Sequence, residues 1–111
     1  MEKKIKKYLH DIKECIESIE SFLGEARDFD VYEKNKLLRR GCERELEIIG
    51  EAMNRILKIE PNFKITNARK IVNFRNFISH EYEDIENDLI WLIIVRDLPN
   101  LKLEIKNLLD N

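Results

Sequence analysis

From Ile5 to Leu23 the apolar residues fall at Ile5, Tyr8, Leu9, Ile12, Cys15, Ile16, Ile19, Phe22 and Leu23. Steps of three and four trace one stripe along an α-helix. The same spacing returns in Leu38, Cys42, Leu46, Ile49, Met53, Ile56 and Leu57. This period is kept up almost without breakers. The 111 residues include three Gly and two Pro, and no stretch alternates apolar with polar residues as a half-buried strand would.

The pattern predicts a first helix ending near Gly24 and a second from about Asp30 to Ile59, stopped by Pro61. Thr66 or Asn67 is placed to cap a third helix carrying Ile71, Val72, Phe74, Phe77 and Ile78. Asp84 is placed to cap a fourth, Ile85 to Asp97, ending before Pro99, and a short last helix turns Leu101, Ile105 and Leu108 inward. The expected fold is all-α: one domain over residues 1–111, an antiparallel up-and-down four-helix bundle with a short extra C-terminal helix.

The run Leu-Ile-Trp-Leu-Ile-Ile-Val at 89–95 is apolar on every side of a helix. It reads either as a central core helix or as a helix with one face, Trp91 included, covered by a second subunit. It is far too short to cross a bilayer. The amino terminus lacks the apolar stretch of a signal peptide, so the expected location is cytoplasmic with no membrane partner. Cys15 and Cys42 occupy apolar helical positions and read as reduced core residues. A net charge of −2 offers nucleic acid no global attraction, so any RNA contact must come from a local patch. Arg39, Arg40 and Arg44 could supply one, or could form a solvated face paired with Glu43 and Glu47. No spacing of His, Cys and carboxylates suggests a metal site, no Gly-rich loop suggests a nucleotide cradle, and His10 reads as a surface residue.

One stretch invites a chemical reading: "RNFISHEY", residues 75–82. Arg75 carries a permanent charge on a planar fork suited to phosphate. His80 belongs to the one residue type whose ordinary pKa, about 6.5, lies near neutrality. A general acid/base beside a phosphate clamp is what RNA cleavage through the 2′-hydroxyl needs. A helix end with a dipole-stabilised histidine and a packing tyrosine would give the same letters. In a straight helix Arg75 and Tyr82 share a face while His80 points about 140° away. Either the helix ends or bends near Ser79, or a second copy of the chain completes the site. Glu81, Glu83, Asp84, Glu86 and Asp88 follow at once. They oppose the fourth helix's dipole, raise the pKa of His80, or form the face a partner grips.

The chain resembles the HepT-like group of HEPN domains, whose motif R-x4-H-x-Y stands here as Arg75, His80 and Tyr82. "ERELEIIGEAMNRI" at 43–56 is similar to the family's second-helix signature, and "LIWLIIVRDLPNLKLEI" at 89–105 to its closing pattern. Phe74 stands where the family often carries Met, and "EPNFKIT" at 60–66 lacks its common Pro-Trp. The resemblance implies a homodimer that brings two motifs to one cleft, acting as a metal-independent endoribonuclease toxin with no cofactor. It implies Arg75 and His80 as catalytic residues, Asn76 as their support and Tyr82 as the acceptor of AMP from a small nucleotidyltransferase antitoxin. Two other classes compete: a non-catalytic helical subunit that holds the nucleotidyltransferase, and a nucleotide-binding helical domain.

Overall fold

The computed structural model of the chain describes residues 1–79 and 81–110, and among them it is helical with no strand. Helix α1 spans Lys3–Leu23; Glu2 caps it by accepting from the Lys4 and Ile5 amides, and Gly24 closes it at φ 69°, a left-handed conformation suited to Gly. The long second helix expected from Asp30 onward is two: α2, Phe29–Lys34, and α3, Lys36–Ile59. Asn35 parts them. Its backbone is extended, and its side chain accepts from the Leu38 amide at 3.0 Å to cap α3, the local hydrogen bond by which Asn competes with a continuing helix.

Helix α4, Ala68–Val72, opens at Asn67 as the pattern predicts, but Asn67 sits in a left-handed conformation (φ 60°) and makes no side-chain cap. The chain then tightens into a 3₁₀ turn, Asn73–Phe77, and leaves helical geometry at Ile78. Helix α5 is Glu83–Leu92; Tyr82, not Asp84, holds the N-cap position. The expected stop before Pro99 does not occur. Instead a π-turn, Ile93–Asp97, leads straight into α6, Leu98–Asp110, so Pro99 follows the π-turn within continuous helical backbone. Asn100 Nδ2 donates to the Arg96 carbonyl there, 3.2 Å.

The core lies where α1 packs along α3 and α6 closes over α1. Ile5, Leu9, Ile12, Ile16 and Ile19 meet Cys42, Leu46, Ile49, Met53 and Ile56, with Ile90, Leu101 and Ile105 completing it. Both predicted stripes therefore face inward, although Phe22 is half exposed. The apolar run at 89–95 divides its faces: Ile90, Ile93 and Ile94 are buried, while Leu89, Leu92 and Val95 remain open to solvent. Trp91 is covered by this chain's own α2, its ring 5.6 Å from Phe29 and 5.3 Å from Tyr32. No described helix is long and apolar enough to cross a membrane.

Candidate active site

The motif straddles the least regular part of the chain. Arg75 stands on the 3₁₀ turn after α4, Tyr82 stands at the start of α5, and Ile78, Ser79 and Glu81 between them are not helical. The helix thus ends before Ser79, one of the two arrangements the sequence left open, and Arg75 and Tyr82 share no helical face. His80 lies outside the described residues.

The Arg75 half is held from behind. A 3₁₀ turn has poor hydrogen-bond geometry of its own. Burying Phe74, only 1% exposed, contributes about 1.5–3 kcal/mol and anchors the turn, so Phe in place of the family's Met serves packing. Ile71 is buried one turn earlier. Gly50 of α3 lets this segment approach: a Cβ at Gly50 would stand 3.1 Å from the Val72 carbonyl oxygen and 3.2 Å from that of Ile71. Arg75 itself is exposed; its carbonyl accepts from the Ile78 amide at 3.2 Å, and among the described residues its guanidinium makes no hydrogen bond or ion pair. Its neighbour Asn76 is exposed too and donates from Nδ2 to Asn73 Oδ1 at 3.4 Å.

The Tyr82 half has its own tethers. Buried Glu86 of α5 accepts from the Ser79 amide at 3.3 Å and from the Ser79 hydroxyl, pinning the link to the helix that follows. The Ser79 hydroxyl oxygen accepts in turn from the Glu81 amide. Arg40 of α3 reaches across to Glu83 at 2.9 Å while also bonding Glu43 at 3.1 Å, and the bond to Glu83 pushes its pKa up. Tyr82 projects outward, 65% exposed.

Glu83, Asp84 and Glu86 fall in the first turn of α5, where negative charge opposes the helix dipole, so two carboxylates of the acid cluster also hold the motif in place. Of the basic residues proposed on α3, Arg40 pairs with Glu43 and Arg44 with Glu47, and Arg39 donates to the Glu33 carbonyl. They behave as a paired face. Sequence reasoning missed Gly50 and the Ser79–Glu86 tether. Gly50 carried a signal, a lone Gly amid strong helix formers; Glu86 carried none, since its partner belongs to another element. A groove of about 520 Å³ between α1 and α3 includes Lys7, Asp11, Arg44 and Arg55 and no described motif residue. Both cysteines are free and buried, and their burial pushes each thiol up to about 12. His10 is exposed.

Among the described residues the domain is all-helical, with an exposed Arg75 that precedes His80 by five positions in the sequence and an exposed Tyr82. The ribonuclease HepT-like family model matches residues 12–108, and the chain belongs to this family. It is 33% identical to a Methanocaldococcus jannaschii protein provisionally named an RNase, over 92% of this chain and 94% of the relative. It is 35% identical to a Thermococcus cleftensis protein provisionally named ribonuclease HepT, over 92% and 93%. It is 33% identical to a Caldanaerobacter subterraneus protein also provisionally named an RNase, over 90% and 88%. No solved structure gives a significant match.

Proposed function

We propose that the chain is a cytoplasmic endoribonuclease toxin that cuts RNA by 2′-hydroxyl attack without a metal. The observation that carries this reading is the exposed Arg75 guanidinium, unpaired among the described residues and fixed at the surface by Phe74 and Gly50, in a chain of the HepT-like family. His80 takes the 2′-hydroxyl proton, the 2′-oxygen attacks phosphorus, and Arg75 stabilises the charge on the phosphorane oxygens. The 5′-oxygen then leaves with a proton, yielding a 2′,3′-cyclic phosphate and a 5′-hydroxyl. Asn76 supports the pair from the same turn.

The active form is a homodimer of antiparallel helical bundles with two motifs at one cleft, so the second His80 supplies the leaving-group proton. A solvent-exposed apolar stripe, Tyr82, Ile85, Leu89, Leu92 and Val95, follows helical spacing along α5 and the π-turn and favours a partner there. The regulator is a nucleotidyltransferase antitoxin that transfers AMP to Tyr82, whose exposure suits a modifying enzyme. The Tyr82 oxygen attacks the α-phosphorus of ATP and pyrophosphate leaves, adding bulk and negative charge that repel substrate phosphate.

The purified chain incubated with RNA in EDTA should leave cyclic-phosphate ends, and His80→Ala and Arg75→Ala should lose that cleavage. Equal cleavage by all three, or none by the parent chain with Tyr82 shown unmodified by mass, refutes the reading. The second outcome favours a non-catalytic subunit that grips the nucleotidyltransferase, for which the exposed acids Glu81, Asp84 and Asp88 are the motivating feature.

A further inference from the structure

Twenty consecutive residues, 61–80, contain no Asp or Glu in a chain that has 22 of them, yet include Lys64, Arg69, Lys70 and Arg75. Elsewhere the arginines are spent on this chain's own oxygens: Arg27 on Glu20, Arg39 on the Glu33 carbonyl, Arg40 on Glu43 and Glu83, Arg44 on Glu47, Arg55 on Glu51 and Arg96 on Asp97. Among the described residues, Arg69 and Arg75 are the two arginines whose guanidinium groups make no ion pair or hydrogen bond, and both are exposed.

Helical geometry puts them on one arc. With Arg69 at 0°, steps of about 100° through α4 and about 120° through the 3₁₀ turn place Asn73 and Asn76 near 40° and Arg75 near −80°. Ile71 and Phe74 fall near 200° and 160°, and these are the buried residues of the segment. Of the acids on the elements packed against this segment, Glu47 of α3 pairs with Arg44, and Glu83 and Glu86 of α5 bond Arg40 and Ser79. Asp97 and Glu104 of the α6 region lie on the far side with Asn67, Lys70, Ile71 and Phe74 around one small pocket. There Asp97 pairs with Lys70 and Arg96, and Glu104 accepts from the Thr66 amide and hydroxyl. The arc from Arg75 through Arg69 to Asn73 and Asn76 therefore carries two cations and two amides, with half-buried Val72 near about −60° between the cations. It extends about 10 Å along the axis, the rise of about three stacked nucleotides.

We propose that Arg69 is a backbone-phosphate contact and that single-stranded RNA runs along this arc of α4 from the cleavage point at Arg75. Asn73 and Asn76, on the flank beyond Arg69, offer hydrogen bonds beside the two cations. The inference rests on the ribonuclease reading but concerns the path of the strand, not its cutting. Its test uses the unaltered chain and a labelled, 2′-O-methylated single-stranded RNA, which cannot be cut through its 2′-oxygen. Binding is followed by fluorescence anisotropy across a salt series. Arg69→Gln should weaken binding and reduce the steepness of log Kd against log salt by about 0.7, the share of one single-strand phosphate. Arg75→Gln should do the same and Arg44→Gln should not. If Arg69→Gln matches the parent while Arg75→Gln weakens binding, the path is wrong and the ribonuclease reading stands. If Arg44→Gln lowers the slope as much as Arg69→Gln, the attraction is diffuse and the path is again refuted. A parent chain that does not bind the RNA overturns both.

Discussion

Gly50→Ala is the most direct probe of how α3 positions Arg75. A helix interior ordinarily gains about 1 kcal/mol when Gly becomes Ala. At Gly50 the new methyl would meet two backbone carbonyl oxygens at 3.1 and 3.2 Å. Carbon–oxygen contacts normally sit at about 3.3–3.6 Å, so the Ile71–Val72 backbone must retreat by a few tenths of an ångström. Overpacking of this kind costs about 1–3 kcal/mol, and the net effect is about 0–2 kcal/mol of destabilisation. Gly41 supplies the control, because a Cβ there meets the half-exposed Phe22 ring at 3.4 and 3.5 Å, ordinary contact with a movable side chain. Gly41→Ala should keep the propensity gain and raise Tm by about 4 °C. Gly50→Ala should leave Tm unchanged or lower it by up to about 8 °C. It should also slow RNA cleavage, since Arg75 lies three residues beyond the displaced carbonyl of Val72. Thermal circular dichroism with a cleavage assay reads both. If Gly50→Ala stabilises as much as Gly41→Ala and cleaves at the parent rate, the close approach does not position the site.

Glu86→Ala removes the acceptor of both Ser79 bonds and should destabilise by about 1–3 kcal/mol in urea unfolding, with slower cleavage. Glu86→Gln, which keeps an acceptor oxygen, should recover most of both. The thiols of Cys15 and Cys42, raised to about 12 by burial and then by neighbouring acids, should resist maleimide at pH 8 until the chain is unfolded. The folded state holds these protons more tightly than the unfolded chain, whose thiols titrate near 9. Their contribution is thus complete below pH 9 and falls away between pH 9 and 12. Replacing both by Ala should flatten that alkaline loss in pH-dependent unfolding.

The apolar period was enough to expose the two long stripes, because Ile12 or Ile49 is buried by its own spacing. The departures came where a side chain outcompeted the period. Asn35 caps α3 and splits a stripe that reads as unbroken, and the π-turn at Ile93–Asp97 carries helical backbone past Pro99. The site was legible as letters but not as geometry. Seven-residue spacing puts Arg75 and Tyr82 on one face only if the helix continues, and it ends at Phe77. The acid cluster looked hostile to RNA because sequence cannot reveal that Glu83 is turned to Arg40 and Glu86 to Ser79.

Those two carboxylates bear on how a motif split across two elements keeps its shape. The Arg75 half rests on α3 at Gly50, and the Tyr82 half is drawn to α3 at Arg40 through Glu83. The two points are ten residues apart (50 minus 40) on one uninterrupted helix, about 15 Å along a rigid axis. The span between the halves is then set by α3, and the link after Ile78 needs only to follow it. Lengthening that link should therefore disturb the site less than moving either anchor on α3. An added Gly after Ile78 that abolished cleavage while Gly50→Ala and Arg40→Gln left it intact would show that the link itself fixes the geometry.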